Sequence, residues 1–368
     1  MSGTIQSFFD FLKFLYLRRS PSMPFIKVGI FLIGSALSVG FFFDVNASYG
    51  PLTVSLDGSD RQTWPLVIQW LMFGAGFPSL IVGLIVQWRQ VKTLWRDAQR
   101  KRLVTVEHRG LTTPINGTLS SSVPPEFIGR REEIFIDQTP YVSGNSRVDD
   151  PEKSLEEVLY IRRDIDGRVK AVDKKDVTVI YGGLASVPFT FLAGYLIDDD
   201  NEVEVMDWDR FKGKWFHIKA KGREAREAAI SGVEEAGAAD EVVVALSISY
   251  KADLLALAKV FPEFPLVHMD SGDYQPNNHW DREQQDRWAD QFVTLMRALA
   301  GARKIHLTIA AQNSVVFTLG RNFDRRNSPA INLYQYERDE DPAYPWAVAV
   351  PRGGNDAQII WKSDGRRR

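Results

Sequence analysis

The sequence contains no cysteine. That excludes disulfides, thiolate nucleophiles and cysteine zinc sites, and it suits a reducing cytosol. Histidine is scarce: His108, His217, His268, His279 and His306 are scattered, and none has a metal-ligand spacing to a second histidine on one face. A strong net charge is also missing. The balance of 45 Lys and Arg against 47 Asp and Glu gives −2, so no polymeric nucleic acid is expected as a partner. A single small phosphate ligand is compatible with that balance. Neither GxxxxGK[ST] nor GxGxxG occurs, and the Gly182-Gly183 pair after a strand-like run is a weak loop motif on its own. Asp198-Asp199-Asp200 resembles a metal cluster but sits between a helix and a strand, where a solvated turn is expected. No nucleophile–base–orienter set can be named. No catalytic residue, metal or cofactor is therefore expected.

Long apolar runs are present, and both lie in the first ninety residues. Phe25 to Phe43 carries only Lys27, close to one end, and Pro65 to Trp88 carries no charge, with Trp64 and Trp88 bracketing it. Each is long enough to span a bilayer. Lys13, Arg18, Arg19 and Lys27 precede the first span, and Arg89, Lys92, Arg96, Arg100, Lys101 and Arg102 follow the second. The loop between them has Asp44, Asp57 and Asp60 against Arg61 alone. Positive flanks stay inside, so both termini are expected to be cytoplasmic. Phe8, Phe11, Leu12 and Leu15 fall on one helical face of Ile5–Leu17, as in a helix lying at the interface. Gly34 with Ser38, and Ala36 with Gly40, are small residues at the spacing of a close helix–helix seam. No carboxylate, histidine or arginine lies inside the spans, which argues against a transporter.

The organisation read from the sequence is an amphipathic segment over 1–23, two transmembrane helices over 24–88, a basic stalk and linker over 89–125, and an α/β domain over 126–368. The stalk helix is expected to reach about Leu103, and the Ser-, Thr-, Gly- and Pro-rich run from Thr112 to Glu126 reads as linker.

Within the α/β domain, Lys304 to Arg338 reads as strand, turn, helix and strand. Val177 to Arg210 repeats it at an offset of 128 positions: Ser186, Val187, Phe189 and Thr190 fall on Ser314, Val315, Phe317 and Thr318. Downstream, Trp208 falls on Tyr336 and Arg210 on Arg338. Two copies imply two like half-domains about a pseudo-twofold axis. Between them, Glu241–Ser249 and Leu266–Met269 read as strands, and Lys251–Val260 and Asn278–Leu299 as helices. Ligands bind such sheets beyond the carboxyl ends of the strands. The candidate ligand site therefore collects Leu184, Ala185 and Ser186 from one half with Gln312, Asn313 and Ser314 from the other. A helix N-terminus at Asn313 and Ser314 suits a phosphate. Ser247, Ser249 and Lys251 join from the middle strand end, and Trp280 is placed to stack a base or to pack in the core. At the same offset Asp198 falls on Arg326, so one helix-to-strand loop is acidic in one half, Asp198-Asp199-Asp200, and basic in the other, Arg325 and Arg326; at opposite ends of the domain they are candidates for a head-to-tail contact between subunits.

The segment IHLTIAAQNSVVFTLGRNF…INLYQYER resembles the C-terminal signature of SAVED domains, the nucleotide sensors of bacterial CBASS anti-phage systems. The resemblance covers about the last 200 residues and leaves the N-terminal third untouched. It implies two fused CARF-like (Rossmann-like) halves, in agreement with the repeat. It also implies a cyclic di- or trinucleotide ligand made by a partner nucleotidyltransferase, and control of an attached effector. With no enzymatic motif in the chain, the effector is expected in the transmembrane part, acting by self-association and disruption of the lipid bilayer in abortive infection. The alternatives left open by the residues are a membrane-anchored enzyme that cleaves a nucleotide or the cyclic signal, and a passive membrane scaffold.

Overall fold

The computed structural model describes residues 22–45, 63–112, 117–144, 147–170, 172–197, 202–324, 326–350 and 357–362. The expected interfacial helix, the loop between the spans, the acidic loop and Arg325 lie outside the described residues. The chain divides into two units, Met1–Gln99 and Arg100–Arg368.

In the first unit, α1 runs from Met23 to Val45 and α2 from Thr63 to Arg100. Among the described residues one helix, Val67–Arg100, is long and apolar enough to cross a membrane. Phe31, Trp70, Leu71 and Trp88 are exposed, a surface that lipid would cover and water would not. The helices meet where glycine removes the Cβ. A Cβ on Gly29 would lie 2.8 Å from Leu80 N, and one on Gly83 would lie 3.0 Å from Ile26 N. Ser79 Oγ donates to Phe25 O at 3.0 Å across the same seam. The seam expected around Gly34 is thus displaced: a Cβ at Gly34 would meet nothing within 4 Å, although Ala36 is buried.

The second unit holds two sheets. The first comprises β1 (Arg102–Arg109), β2 (Arg130–Asp137), β5 (Val177–Leu184), β6 (Glu202–Asp209) and β7 (Lys214–His217) in the order β2-β1-β5-β6-β7. A small hairpin, β3 (Val142–Ser143) with β4 (Arg147–Val148), stands apart from it. The second sheet comprises β8 (Ala229–Ser231), β9 (Glu241–Ser247), β10 (Leu266–Asp270), β11 (Lys304–Ala310), β12 (Ala330–Tyr334), β13 (Trp346–Val350) and β14 (Gln358–Trp361), in the order β14-β13-β12-β11-β9-β10-β8. The run β10-β9-β11-β12-β13 reproduces the first sheet: three parallel pairings, then one antiparallel. This is the duplicated CARF-like architecture, strand for strand.

Residues 102–109 are a correction to the expected stalk. They form β1, paired in parallel on both sides, with Val104 and Val106 fully buried. The strand hides in the sequence because polar residues interrupt its apolar ones, and the fold satisfies each of them. Glu107 accepts from Leu119 N and Arg109 Nε, and His108 hydrogen-bonds with Tyr181 OH at 2.9 Å and Gln138 Oε1 at 2.9 Å. The expected linker likewise contains α3 (Leu119–Ser122), whose Leu119 is fully buried.

The remaining helices are α4 (Pro151–Leu159), α5 (Ile161–Val169), α6 (Val187–Ile197), α7 (Val233–Ala236), α8 (Leu254–Val260), α9 (Arg282–Ala298) and α10 (Asn313–Asn322). Helix α6, VPFTFLAGYLI, is apolar all round and is buried accordingly. It packs on α10, its repeat counterpart, and glycines set the distance. A Cβ on Gly194 would fall 2.2 Å from Phe317 O, and one on Gly320 would fall 2.1 Å from Phe191 O. Tyr181 of β5 stacks on Phe317 of α10 at 3.8 Å, joining the two halves through one core.

Candidate functional site

The carboxyl ends of the parallel strands open on a cleft of about 880 Å³ between the halves. The first half contributes Leu111, Ala185, Ser186, Val187 and Arg210, and the second Tyr250, Gln312, Asn313, Gln335, Tyr336 and Arg338. Ser143, Gly144 and Arg147 of the hairpin and the acidic residues Glu337, Asp339 and Glu340 complete the wall.

Four of the residues expected from sequence meet here: Ala185, Ser186, Gln312 and Asn313. Ser186 is 5% exposed and its Oγ is buried with no hydrogen-bond partner among the described residues. Gln312 Nε2 donates to Tyr250 OH at 2.5 Å and to Pro276 O at 3.3 Å, and Asn313 Nδ2 donates to Gly183 O at 3.2 Å. The other six do not line the cleft. Leu184 is buried in a small apolar cluster with Leu103 and Trp215. Ser247 Oγ accepts from Ala252 N at 3.0 Å and bonds with His268 Nε2, while Ser249 Oγ accepts from Gln312 N at 3.3 Å. Lys251 is exposed on the approach to α8, whose cap is Asp253. Trp280 lines a separate groove of about 500 Å³ with Lys221 and Trp288, its ring against His279 and Phe216.

Ser314 is displaced for an electrostatic reason. Its amide donates to Asp207 Oδ2 at 3.2 Å, and its Oγ accepts from Gln285 Nε2 at 3.0 Å. The protein's own carboxylate therefore occupies the positive end of α10 that was expected to hold a phosphate. His279 Nε2 lies 3.5 Å from the same carboxylate oxygen, and burial holds its pKa below the usual imidazole range. The Gly182-Gly183 pair serves packing: a Cβ on Gly182 would meet Leu119 Cδ1 at 2.6 Å, and one on Gly183 would meet Tyr181 OH at 2.4 Å. Arg326 is an exposed turn residue whose amide donates to Asp324 Oδ1.

The residues missed from sequence are the charged and aromatic ones. Arg147 is committed to acids, with Glu340 at 2.8 Å and Glu337 at 4.0 Å. Burial raises the Glu337 carboxyl above its ordinary range. Arg210 and Arg338 make no ion pair among the described residues, and both face solvent on the cleft. Tyr250 and Tyr336 are each 39% exposed beside them. Two free guanidinium groups with two accessible aromatic rings suit phosphate and base together. The repeat carried the signal, since it aligns Arg210 with Arg338. Among the described residues no group of three or more acidic or histidine side chains is placed to hold a metal ion.

Comparison with known proteins identifies two segments. The SMODS-associated and fused to various effectors sensor domain, SAVED, matches residues 161–350, and the SAVED-fused 2TM effector domain matches residues 2–155. The latter stretch also contains β1 and β2 of the first sheet. A search of curated proteins finds no match. Among solved structures, the Acinetobacter baumannii Cap4 SAVED/CARF-domain containing receptor with the cyclic trinucleotide 2'3'3'-cAAA is 11% identical with a TM-score of 0.45, over 79% of this chain and 60% of that one. The Moraxella osloensis Cap4 receptor is 11% identical with a TM-score of 0.45, over 79% of this chain and 59% of that one. The chain thus spans about three fifths of the length of these structures. The sensor match covers more than half of the chain, which belongs to the SAVED family as a SAVED domain fused to a two-helix transmembrane effector segment.

Proposed function

We propose that the cleft binds a cyclic oligonucleotide made by a partner nucleotidyltransferase, and that binding drives self-association of the chain. Gathering of the paired helices then breaches the membrane in which they sit, as the effector step of an anti-phage defence. On this reading the ligand is bound and not turned over, no cofactor takes part, and both termini face the cytoplasm. The carrying observation is the pair Arg210 and Arg338, at repeat-related positions, free of ion pairs and flanked by Tyr250 and Tyr336. A ring with phosphates on opposite sides presents charge to both halves at once. The Cap4 receptor structures with cyclic trinucleotides support the ligand class. Ligand can promote assembly only if it binds the assembled state more tightly than the single chain. The test uses the full chain in dye-loaded liposomes. Cyclic diadenylate or cyclic triadenylate is expected to release dye and to be recovered intact by mass spectrometry. Release without either ring, or recovery of linear products, contradicts the reading.

A further inference from the structure

Three side-chain amides line the cleft, and they share one arrangement. Gln312 Nε2 donates to Pro276 O and Tyr250 OH, Asn313 Nδ2 donates to Gly183 O, and Gln335 Nε2 donates to Tyr336 O at 3.2 Å. Each amide nitrogen is thus tied to a backbone carbonyl, which fixes which end of the amide is which. Among the described residues the three carbonyl oxygens have no hydrogen-bond partner, and that of Gln335 is buried away from the cleft surface. Side-chain amides ordinarily offer both donor and acceptor, and here only the acceptors remain. An acceptor whose amide nitrogen is already committed favours a ligand that donates to it over one that presents its own oxygen.

All three amides come from the second half. At the 128-residue offset their counterparts in the first half are Leu184, Ala185 and Asp207. The first two offer no side-chain hydrogen bond, and Asp207 is engaged with Ser314 N and Trp208 N. The arginines, in contrast, are matched between the halves. The cleft is therefore symmetric toward phosphate and one-sided toward bases.

We infer that Gln312 and Asn313 are specificity-determining residues that select a base with an exocyclic amino group, such as adenine, against oxo bases such as hypoxanthine or uracil. The carbonyl oxygens accept the N–H groups of the amino substituent, while an oxo substituent at the same position meets oxygen with oxygen. The first half, with Leu111, Ala185 and Ser186, packs its base without that discrimination. This inference rests on the cyclic-oligonucleotide reading of the same cleft.

The test is a binding titration of the full chain in nanodiscs, with cyclic diadenylate and cyclic triadenylate against their hypoxanthine counterparts. The adenine rings are expected to bind more tightly by about 10-fold or more, the scale of leaving one hydrogen-bonding group without its partner. Gln312→Met is expected to bring the ratio toward one with the melting temperature unchanged, and Asn313→Leu supplies a second, independent variant. Arg338→Glu is expected to weaken adenine and hypoxanthine rings alike and keep the ratio. Equal binding of both ring types by the wild-type chain overturns the selectivity and leaves the cyclic-ligand reading standing. A ratio unchanged in both amide variants overturns the assignment to these residues. Failure of every ring to bind overturns the cyclic-ligand reading and this inference with it.

Discussion

The two halves of the sensor unit share strand order, strand direction and a central helix, yet their helix N-termini are finished differently. In the second half, Asp207 accepts from Ser314 N and closes the start of α10. In the first, Ser186 Oγ at the start of α6 has no partner among the described residues, and Pro188 follows it within the helix. The carboxylate that seals α10 comes from β6, a strand of the first half. A duplicated fold can thus keep its scaffold while a side chain from one copy closes the helix start of the other. Equivalent positions in a repeat share geometry, and the side chains brought against them decide the chemistry.

The largest expected effect breaks the contact between the halves. Gly194→Ala and Gly320→Ala each drive a Cβ into a backbone carbonyl of the facing helix, where no flexible side chain can give way. Each is expected to cost about 3 kcal/mol or more, at the upper end for overpacking, and thermal melting measures it. A melting temperature within a degree or two of wild type would show that the helices separate easily. Next comes a difference in proton linkage. His108 of the first half is fully buried between Tyr181 and Gln138, and burial lowers its pKa to about 4. Because its folded pKa lies below the unfolded value, its contribution is present above pH ~6.5 and lost as pH falls toward 4, about 3 kcal/mol in total. His306 of the second half is also lowered by burial but bonds to Glu241, which opposes the shift. Denaturant unfolding of His108→Gln against wild type across that window is expected to show a flatter pH dependence.

Smaller effects sharpen the comparison at the cleft. Arg210→Glu and Arg338→Glu are expected to weaken ring binding by similar factors, roughly 10- to 100-fold, the scale of losing a charge-assisted hydrogen bond. Isothermal titration of each variant checks this, and a strong effect from one arginine alone would show that the phosphates are not shared between the halves. The smallest change grafts an aromatic onto the poorer side. Leu111→Tyr lies on the cleft wall and is expected to tighten binding by about 3- to 5-fold, toward the low end for a stacked base.

Much of the fold was legible because its signals are periodic. The apolar runs of the spans, the Ser-Val-x-Phe-Thr repeat and the buried strands β5 and β11 all follow patterns that burial imposes. β1 was not legible, since Thr105, Glu107 and His108 interrupt its apolar pattern and become acceptable only through partners distant in sequence, Leu119, Gln138 and Tyr181. The candidate site was half legible. Strand ends named Ala185, Ser186, Gln312 and Asn313, but no local pattern reveals that Asp207 reaches Ser314. Arg210 and Arg338 were visible as aligned residues, and their freedom from ion pairs emerges only when the acids cluster on Arg147 instead.

The most direct test is to locate the ligand. A cyclic triadenylate carrying 8-azidoadenine is cross-linked to the full chain in nanodiscs, and the labelled peptides are sequenced by mass spectrometry. Label on peptides containing Tyr250 or Tyr336, displaced by unmodified ring and lost in the Arg210→Glu, Arg338→Glu double variant, is the expected result. Displaceable label on the peptide containing Trp280, with none at Tyr250 or Tyr336, would contradict the account and move the ligand to the other groove.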